Sequence, residues 1–224
     1  DQHPNLIKAA QEGWTQYGIL ASVTLAQACL ESMFGESQLA REANNWFGHS
    51  LGFSSEKYRL PESYSMTTSW GSMAPTQWAK YRSAEDCFKD HAYVLSGQSG
   101  NERYLKAVGE TDPHKAIYAI ANGGYCKDTD VVGVTDDGTW YSNHVMEFIN
   151  DNNLRKYDVG SYNGKAAGSG GTKYSKTCWT GDSRTEQMHN YFPDLEVVAT
   201  KGGMTISYFN DHYSEAKAKI GYNI

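Results

Sequence analysis

Glu31 and Gln27 stand four residues apart in the segment Ser22-Val23-Thr24-Leu25-Ala26-Gln27-Ala28-Cys29-Leu30-Glu31-Ser32, so a helix here puts both on one face. Glu31 falls in the last turn, where the partial negative charge of the helix C-terminus disfavours an ionised carboxylate. Met33, Phe34, Trp46 and Phe47 are candidates to dehydrate it further. Both effects raise a carboxyl pKa. An acid that keeps its proton near neutral pH can protonate a glycosidic leaving oxygen, and such general acid catalysis contributes about 100- to 10,000-fold. The position is also compatible with a solvated helical glutamate, the commoner fate of the residue type.

The histidines and cysteines add little chemistry. His91 lies on the apolar stripe of a predicted helix and reads as a hydrogen-bonded core residue rather than a base or a ligand. His49 follows the turn Asn44-Asn45-Trp46-Phe47-Gly48, where it is placed to edge a cleft. No His-Glu-x-x-His or comparable spacing occurs, so neither a catalytic metal nor a cofactor is expected. Cys29, Cys87, Cys126 and Cys178 are widely spaced without a Cys-x-x-Cys, and the first two fall on apolar helix faces that suit buried thiols.

The elements that must position these groups follow from periodicity. A helix is predicted from Pro4 to about Tyr17 through Leu6, Ala9, Ala10 and Gly13. A second is predicted after Ser22, a good N-cap, with a stop at Gly35. Between Asn44 and Trp78, Gly48, Gly52, Pro61, Gly71 and Pro75 punctuate short runs, which predicts loops and a small β-hairpin lobe. Further helices are predicted after Ser83, whose segment Ser83-Ala84-Glu85-Asp86 is a capping-box pattern, and from Asp112-Pro113 to Gly123-Gly124. A last one runs near Tyr141 to Asn152, with Val145, Phe148 and Ile149 inward. Residues 1–157 thus read as mostly helical with one β-rich insert. Residues 158–172 hold five glycines in fifteen positions and read as a flexible linker. In 173–224, Tyr174 to Thr180 and Leu195 to Thr200 are candidate strands of a segment small for an independent fold.

Composition narrows the partners. The 224 residues carry 20 Lys and Arg against 26 Asp and Glu, a net charge of −6 without a like-charge block, so nucleic acid and anionic membrane surfaces are poor partners. No apolar run approaches the roughly 18 residues of a membrane span, and the N-terminal Asp1-Gln2-His3-Pro4 lacks the features of a signal peptide. Sixteen tyrosines, six tryptophans and 22 glycines suit a sugar partner, whose C–H faces stack on rings, although most such rings fill cores.

Three ordered segments resemble glycoside hydrolase family 73. Residues 22–48, SVTLAQACLESMFGESQLAREANNWFG, are similar to its A-Q-A-x-L-E-S segment followed by N-N-x-F-G. Residues 78–95, WAKYRSAEDCFKDHAYVL, resemble its F-R-K-Y region, and residues 122–130, NGGYCKDTD, its G-Y-x-x-D segment. The resemblance covers about residues 1–157 and implies a lysozyme-like α+β fold. It also implies that Glu31 is the general acid, that Tyr125 contacts substrate, and that the turn bearing Asn45 and Trp46 lines the cleft beside Gln27. Phe47 of that turn is expected in the core. The family's second carboxylate sits in a T-x-E-Y-like context, where the nearest string here, Met66-Thr67-Thr68-Ser69-Trp70, has Ser69. Glu62 and Glu56 are the replacements to consider, and Glu62 is favoured because it follows Glu31 by 31 residues and precedes a strand. Failing both, the substrate's own acetamido group can act.

Beyond residue 172, Cys178-Trp179-Thr180-Gly181-Asp182-Ser183-Arg184-Thr185 resembles the first block of the SGNH hydrolases, with Gly202-Gly203 as a candidate second block. The later blocks are missing, and Asn210-Asp211-His212 does not supply them, so Ser183 is expected to be inert. The expected activity is an endo-β-N-acetylglucosaminidase acting outside the cytoplasm on the glycan strands of bacterial peptidoglycan, in an autolysin or a phage lysin. The alternatives are a lytic transglycosylase on the same polymer and a non-catalytic wall-binding or virion module, with further C-terminal domains a possibility.

Overall fold

Pro4 opens helix α1 (Pro4–Tyr17), where its missing N–H costs nothing, and Gly18 closes it in the left-handed region at φ 74°. The computed structural model of the chain describes residues 3–66, 76–126 and 138–168, with two further strands at Trp179–Gly181 and Val197–Thr200. Helix α2 (Ala21–Ser32) starts one residue before Ser22, so Ser22 is not its N-cap. Instead the Ser22 N–H donates to Oδ1 of Asp158 at 2.8 Å, and a carboxylate 136 positions away takes the capping role.

Helix α3 (Gln38–Ala43), absent from the sequence-based expectations, is capped by the Ser37 hydroxyl, which accepts from the Ala40 N–H. The expected hairpin lobe is present as β1 (Ser63–Met66) and β2 (Thr76–Ala79), antiparallel with Tyr64 opposite Trp78. Ser83 caps α4 (Ala84–Leu95) by accepting from Asp86 N, and Asp112 caps α5 (Pro113–Asn122) by accepting from His114 N. A 3-10 helix, Glu102–Ala107, lies between them. Helix α6 (Thr139–Asp151) and a 3-10 turn, Leu154–Tyr157, complete the helical part, and Val145, Phe148 and Ile149 are buried.

The apolar core comprises Trp14, Leu20, Val23, Phe88, Leu95, Ile117 and Ile120, all at or below 1% exposure. Gly13 lets α1 approach α4 closely: a Cβ there would sit 3.0 Å from that of Ala92. Together these elements form a mainly helical α+β fold of the lysozyme-like kind.

Residues 158–168 do not form the expected slack linker. They hold a two-residue hairpin, β3 (Ser161–Tyr162) with β4 (Lys165–Ala166). The Tyr162 ring lies against Trp14 at 5.9 Å and over Gly18, Trp14 Nε1 donates to Gly160 O, and Lys165 Nζ donates to Gly109 O. Gly160, Gly164 and Gly168 supply positive φ for the turns. The chain accordingly divides into one unit of Asp1–Met146 with Leu154–Gly171 and another of Glu147–Asn153 with Thr172–Ile224. In the second, β5 (Trp179–Gly181) pairs in parallel with β6 (Val197–Thr200). Ser69, Cys178, Ser183 and Gly202-Gly203 lie outside the described residues.

Candidate active site

Glu31 is the penultimate residue of α2, and three successive left-handed residues follow that helix: Met33 at φ 53°, Phe34 at 60° and Gly35 at 85°. Ser32 fixes this unusual stop. Its buried hydroxyl donates to Ala28 O at 2.6 Å and accepts from Gly35 N at 2.7 Å. The turn is then clamped from outside by Trp46, since a Cβ on Gly35 would fall 2.5 Å from the indole Cη2.

Glu31 is exposed to solvent, yet neighbouring protein desolvates its carboxyl. Its Oε1 accepts a 2.7 Å hydrogen bond from the Tyr141 hydroxyl at the start of α6. Burial raises the pKa, and the phenol's hydrogen bond, which favours the ionised form, opposes that shift only in part. Tyr141 itself is pushed well above the usual phenol range by burial and by the Glu31 charge. Tyr125, just past α5, is raised for the same reasons, and its ring lies 6.1 Å from that of Tyr141. The Tyr125 hydroxyl is buried and has no hydrogen-bond partner among the described residues.

A file of polar side chains runs inward from Tyr141. Gln27 Nε2 donates to Tyr141 Oη at 3.2 Å, and Gln27 Oε1 accepts from His91 Nε2 at 3.1 Å. His91 Nδ1 lies 3.0 Å from His49 Nε2, and His49 Nδ1 lies 2.8 Å from Tyr81 Oη. Tyr81 Oη donates to Asp90 Oδ2 at 2.7 Å, and Asp90 Oδ1 accepts from Ser55 Oγ at 2.6 Å. Gln27, His49, Tyr81, Asp90 and His91 are all at or below 1% exposure. Burial, helped by His49, holds His91 well below the ordinary imidazole range, so it is neutral.

The residues expected to form the site divide into two groups. Glu31 and Tyr125 come together beside Tyr141. Gln27 and Asn45 are interior: the Asn45 amide donates to His49 O and Ala79 O and accepts from His49 N, tying the turn after α3 to β2. Trp46 is half-buried against Gly35, His3 and Phe88, and Phe47 is core, stacked 3.8 Å from His91. Glu62 is exposed at the entry to β1. Glu56 is bound to Arg59 at 3.0 Å and lines a separate cavity of about 690 Å³ with Phe53, Tyr93 and Arg103. His49, expected at the cleft edge, is instead buried because both ring nitrogens have partners inside.

Sequence reasoning missed Tyr141, Tyr81 and Asp90 as members of this file. The available signal was weak: Asp90 and Tyr141 are polar residues buried on helices, and Tyr81 lies in the short loop between β2 and α4. Cys29 and Cys87 are free thiols, and burial pushes Cys29 up to about 12. Among the described residues no three His, Cys, Asp or Glu side chains group as metal ligands.

Comparison with known proteins points one way. A family model described as mannosyl-glycoprotein endo-beta-N-acetylglucosaminidase matches residues 7–154. The exo-glucosaminidase LytG of Bacillus subtilis is 29% identical over 151 residues, 66% of this chain and 50% of that protein, so the chain spans about half the length of the curated relative it matches. The catalytic domain of the autolysin Auto from Listeria monocytogenes superposes with a TM-score of 0.51 at 23% identity, covering 68% of this chain and 83% of that one. An N-acetylmuramoyl-L-alanine amidase from Staphylococcus aureus superposes with a TM-score of 0.53 at 20% identity, over 71% of this chain and 43% of that one. At these identities the two structures speak for the fold alone.

Proposed function

Since the chain belongs to the glucosaminidase family, whose model spans residues 7–154, we propose that it hydrolyses peptidoglycan glycan strands as an endo-β-N-acetylglucosaminidase with Glu31 as the general acid. One observation carries this reading. Glu31 is exposed to solvent, yet its surroundings raise its pKa and a phenol holds one of its two oxygens. That combination lets a carboxyl keep a proton while a substrate can still reach it.

Glu31 protonates the glycosidic oxygen as the bond to the anomeric carbon breaks. Water then attacks that carbon with its proton taken by Glu62, or the substrate's acetamido oxygen attacks first and water opens the resulting oxazoline ring. Glu62 is preferred over Glu56 because Glu56 is paired with Arg59. Tyr125, with its unpartnered hydroxyl, offers a hydrogen bond to the sugar at the acid's side, and Trp46 offers a ring. A substrate of this kind places the enzyme outside the cytoplasm, at a cell wall. Residues 173–224 are read as part of an SGNH-type segment, a reading supported by β5 ending at Gly181 directly before Asp182-Ser183.

Mass spectrometry of digested sacculi tests the activity. Internal fragments with reducing N-acetylglucosamine ends support it. Anhydromuramic ends would make the protein a lytic transglycosylase, and release of terminal sugars alone would make it an exo-acting enzyme like the one named for LytG. Glu31→Gln should abolish turnover and leave polymer retention intact. Unchanged turnover in that variant would refute Glu31 as the acid, and a wild type that retains polymer without cleaving it would be a wall-binding module.

A further inference from the structure

The file of polar groups behind Glu31 is continuous over seven links, from Glu31 through Tyr141, Gln27, His91, His49, Tyr81 and Asp90 to Ser55. It joins α6 to α2, α2 to α4, and α4 to the turn after α3. Its donors have one consistent direction at the Glu31 end. The Gln27 amide gives its N–H to Tyr141 Oη, so the phenol's only proton is directed to Glu31 Oε1. The amide oxygen must then receive a proton from His91 Nε2, which leaves His91 Nδ1 as acceptor for His49 Nε2–H. At the far end two hydrogen bonds meet at Tyr81 Oη. The phenol supplies one proton, and the second belongs to the His49 and Asp90 pair, 3.8 Å apart.

We propose that this buried relay is a positioning device for the acid: it fixes Tyr141 as a donor to Oε1 of Glu31 and thereby reserves Oε2 for the proton delivered to the substrate. Tyr141 touches the reacting carboxyl, while Gln27, His91 and His49 are positioning residues that act through it. Without the His91 donor, the Gln27 amide is free to turn and present its oxygen to Tyr141. The phenol then donates to Gln27, and Glu31 loses its partner. The inference rests on Glu31 being the general acid.

The other ionisable groups around the file are Tyr125, Tyr104, Cys87 and Cys126, coupled through Tyr125, and Asp90 beside His49. Burial holds Tyr125 and Tyr141 above the phenol range, so neither titrates where Glu31 does, and burial keeps His91 neutral by pushing it below the imidazole range. With Glu31 as the general acid, the alkaline limb of kcat/KM follows the loss of its proton.

The test is the pH profile of kcat/KM on solubilised glycan strands for Tyr141→Phe, His91→Leu, His91→Gln and Gln27→Met. A hydrogen bond to a charged group is worth enough to move a pKa by about one pH unit. Tyr141→Phe and His91→Leu should move the alkaline limb upward by about that much and lower kcat about 10-fold or more. His91→Gln, which retains an N–H donor near the position of His91 Nε2, should restore the limb. Gln27→Met, of similar shape, removes the competing acceptor, so the phenol keeps donating to Glu31 and the limb should stay at its wild-type position; if His91→Leu does not fold alone, Tyr141→Phe against Gln27→Met keeps the contrast. A Tyr141→Phe profile superimposable on the wild type overturns the proposal. So does a folded His91→Leu enzyme that loses kcat equally at every pH, the mark of a purely structural role, or a Gln27→Met enzyme whose limb moves up as far as that of Tyr141→Phe. Turnover surviving in Glu31→Gln would instead refute the acid assignment itself, whatever the relay variants do.

Discussion

Replacing Gly35 with alanine tests whether Trp46 clamps the turn that follows Glu31. The added Cβ would lie 2.5 Å from Cη2 and 2.6 Å from Cζ2 of the indole, where ordinary contact begins at 3.4 Å, so the ring must retreat by 3.4 − 2.5, or roughly 0.9 Å. Phe88 and His3 stand against that ring at centroid distances of 5.9 Å, so the retreat is resisted. Overpacking of this kind costs about 1–3 kcal/mol, and a Cβ at φ 85° adds about 1–2 kcal/mol. The total, about 2–5 kcal/mol, is a large share of a stability of roughly 5–15 kcal/mol. Chemical denaturation of the four proteins of a double-mutant cycle with Trp46→Ala separates the two contributions. In the Trp46→Ala background Gly35→Ala should cost only the backbone share, which leaves a coupling of about 1–3 kcal/mol. Equal costs in both backgrounds would refute the clamp. Activity per folded molecule should also fall in Gly35→Ala, because Glu31 lies only four residues upstream.

Two further outcomes follow from named groups. Glu31 has a folded-state pKa above its unfolded value, so its ionisation opposes folding; that penalty is absent below about pH 4 and complete once pH exceeds the folded pKa. Glu31→Gln should therefore melt with the wild type in acid and progressively above it as pH rises, and a melting difference that does not grow with pH would contradict the desolvation of the acid. Asp158→Ala should cost about 1–2 kcal/mol by uncapping α2, or about 2–8 °C in a chain of this size, while Asp158→Asn keeps an acceptor and loses less. An unchanged Asp158→Ala melting curve would remove the cap from the account.

Local signals were readable and distant ones were not. Pro4, Ser83 and Asp112 announced three helices because a cap and its helix are adjacent in sequence. Helix α2 was placed almost correctly, but its cap is Asp158, and no local pattern can reveal a partner so far along the chain. The glycines of 158–168 looked like slack, because composition does not distinguish a glycine chosen for its positive φ from one chosen for freedom. Glu31 was legible through its helix position and through the resemblance of its surrounding string. Its partner Tyr141 was not, since each link of the relay joins residues that belong to different elements.

The hairpin at 161–166 bears on where the catalytic domain ends. The match to the family stops at residue 154, yet Asp158 crowns the helix that carries Glu31, and Tyr162 covers Trp14 and Gly18. A fragment trimmed to the family boundary would lose the lid over one end of its core and the counter-charge at the head of its key helix. A fragment ending at 168 rather than 154 keeps both contacts.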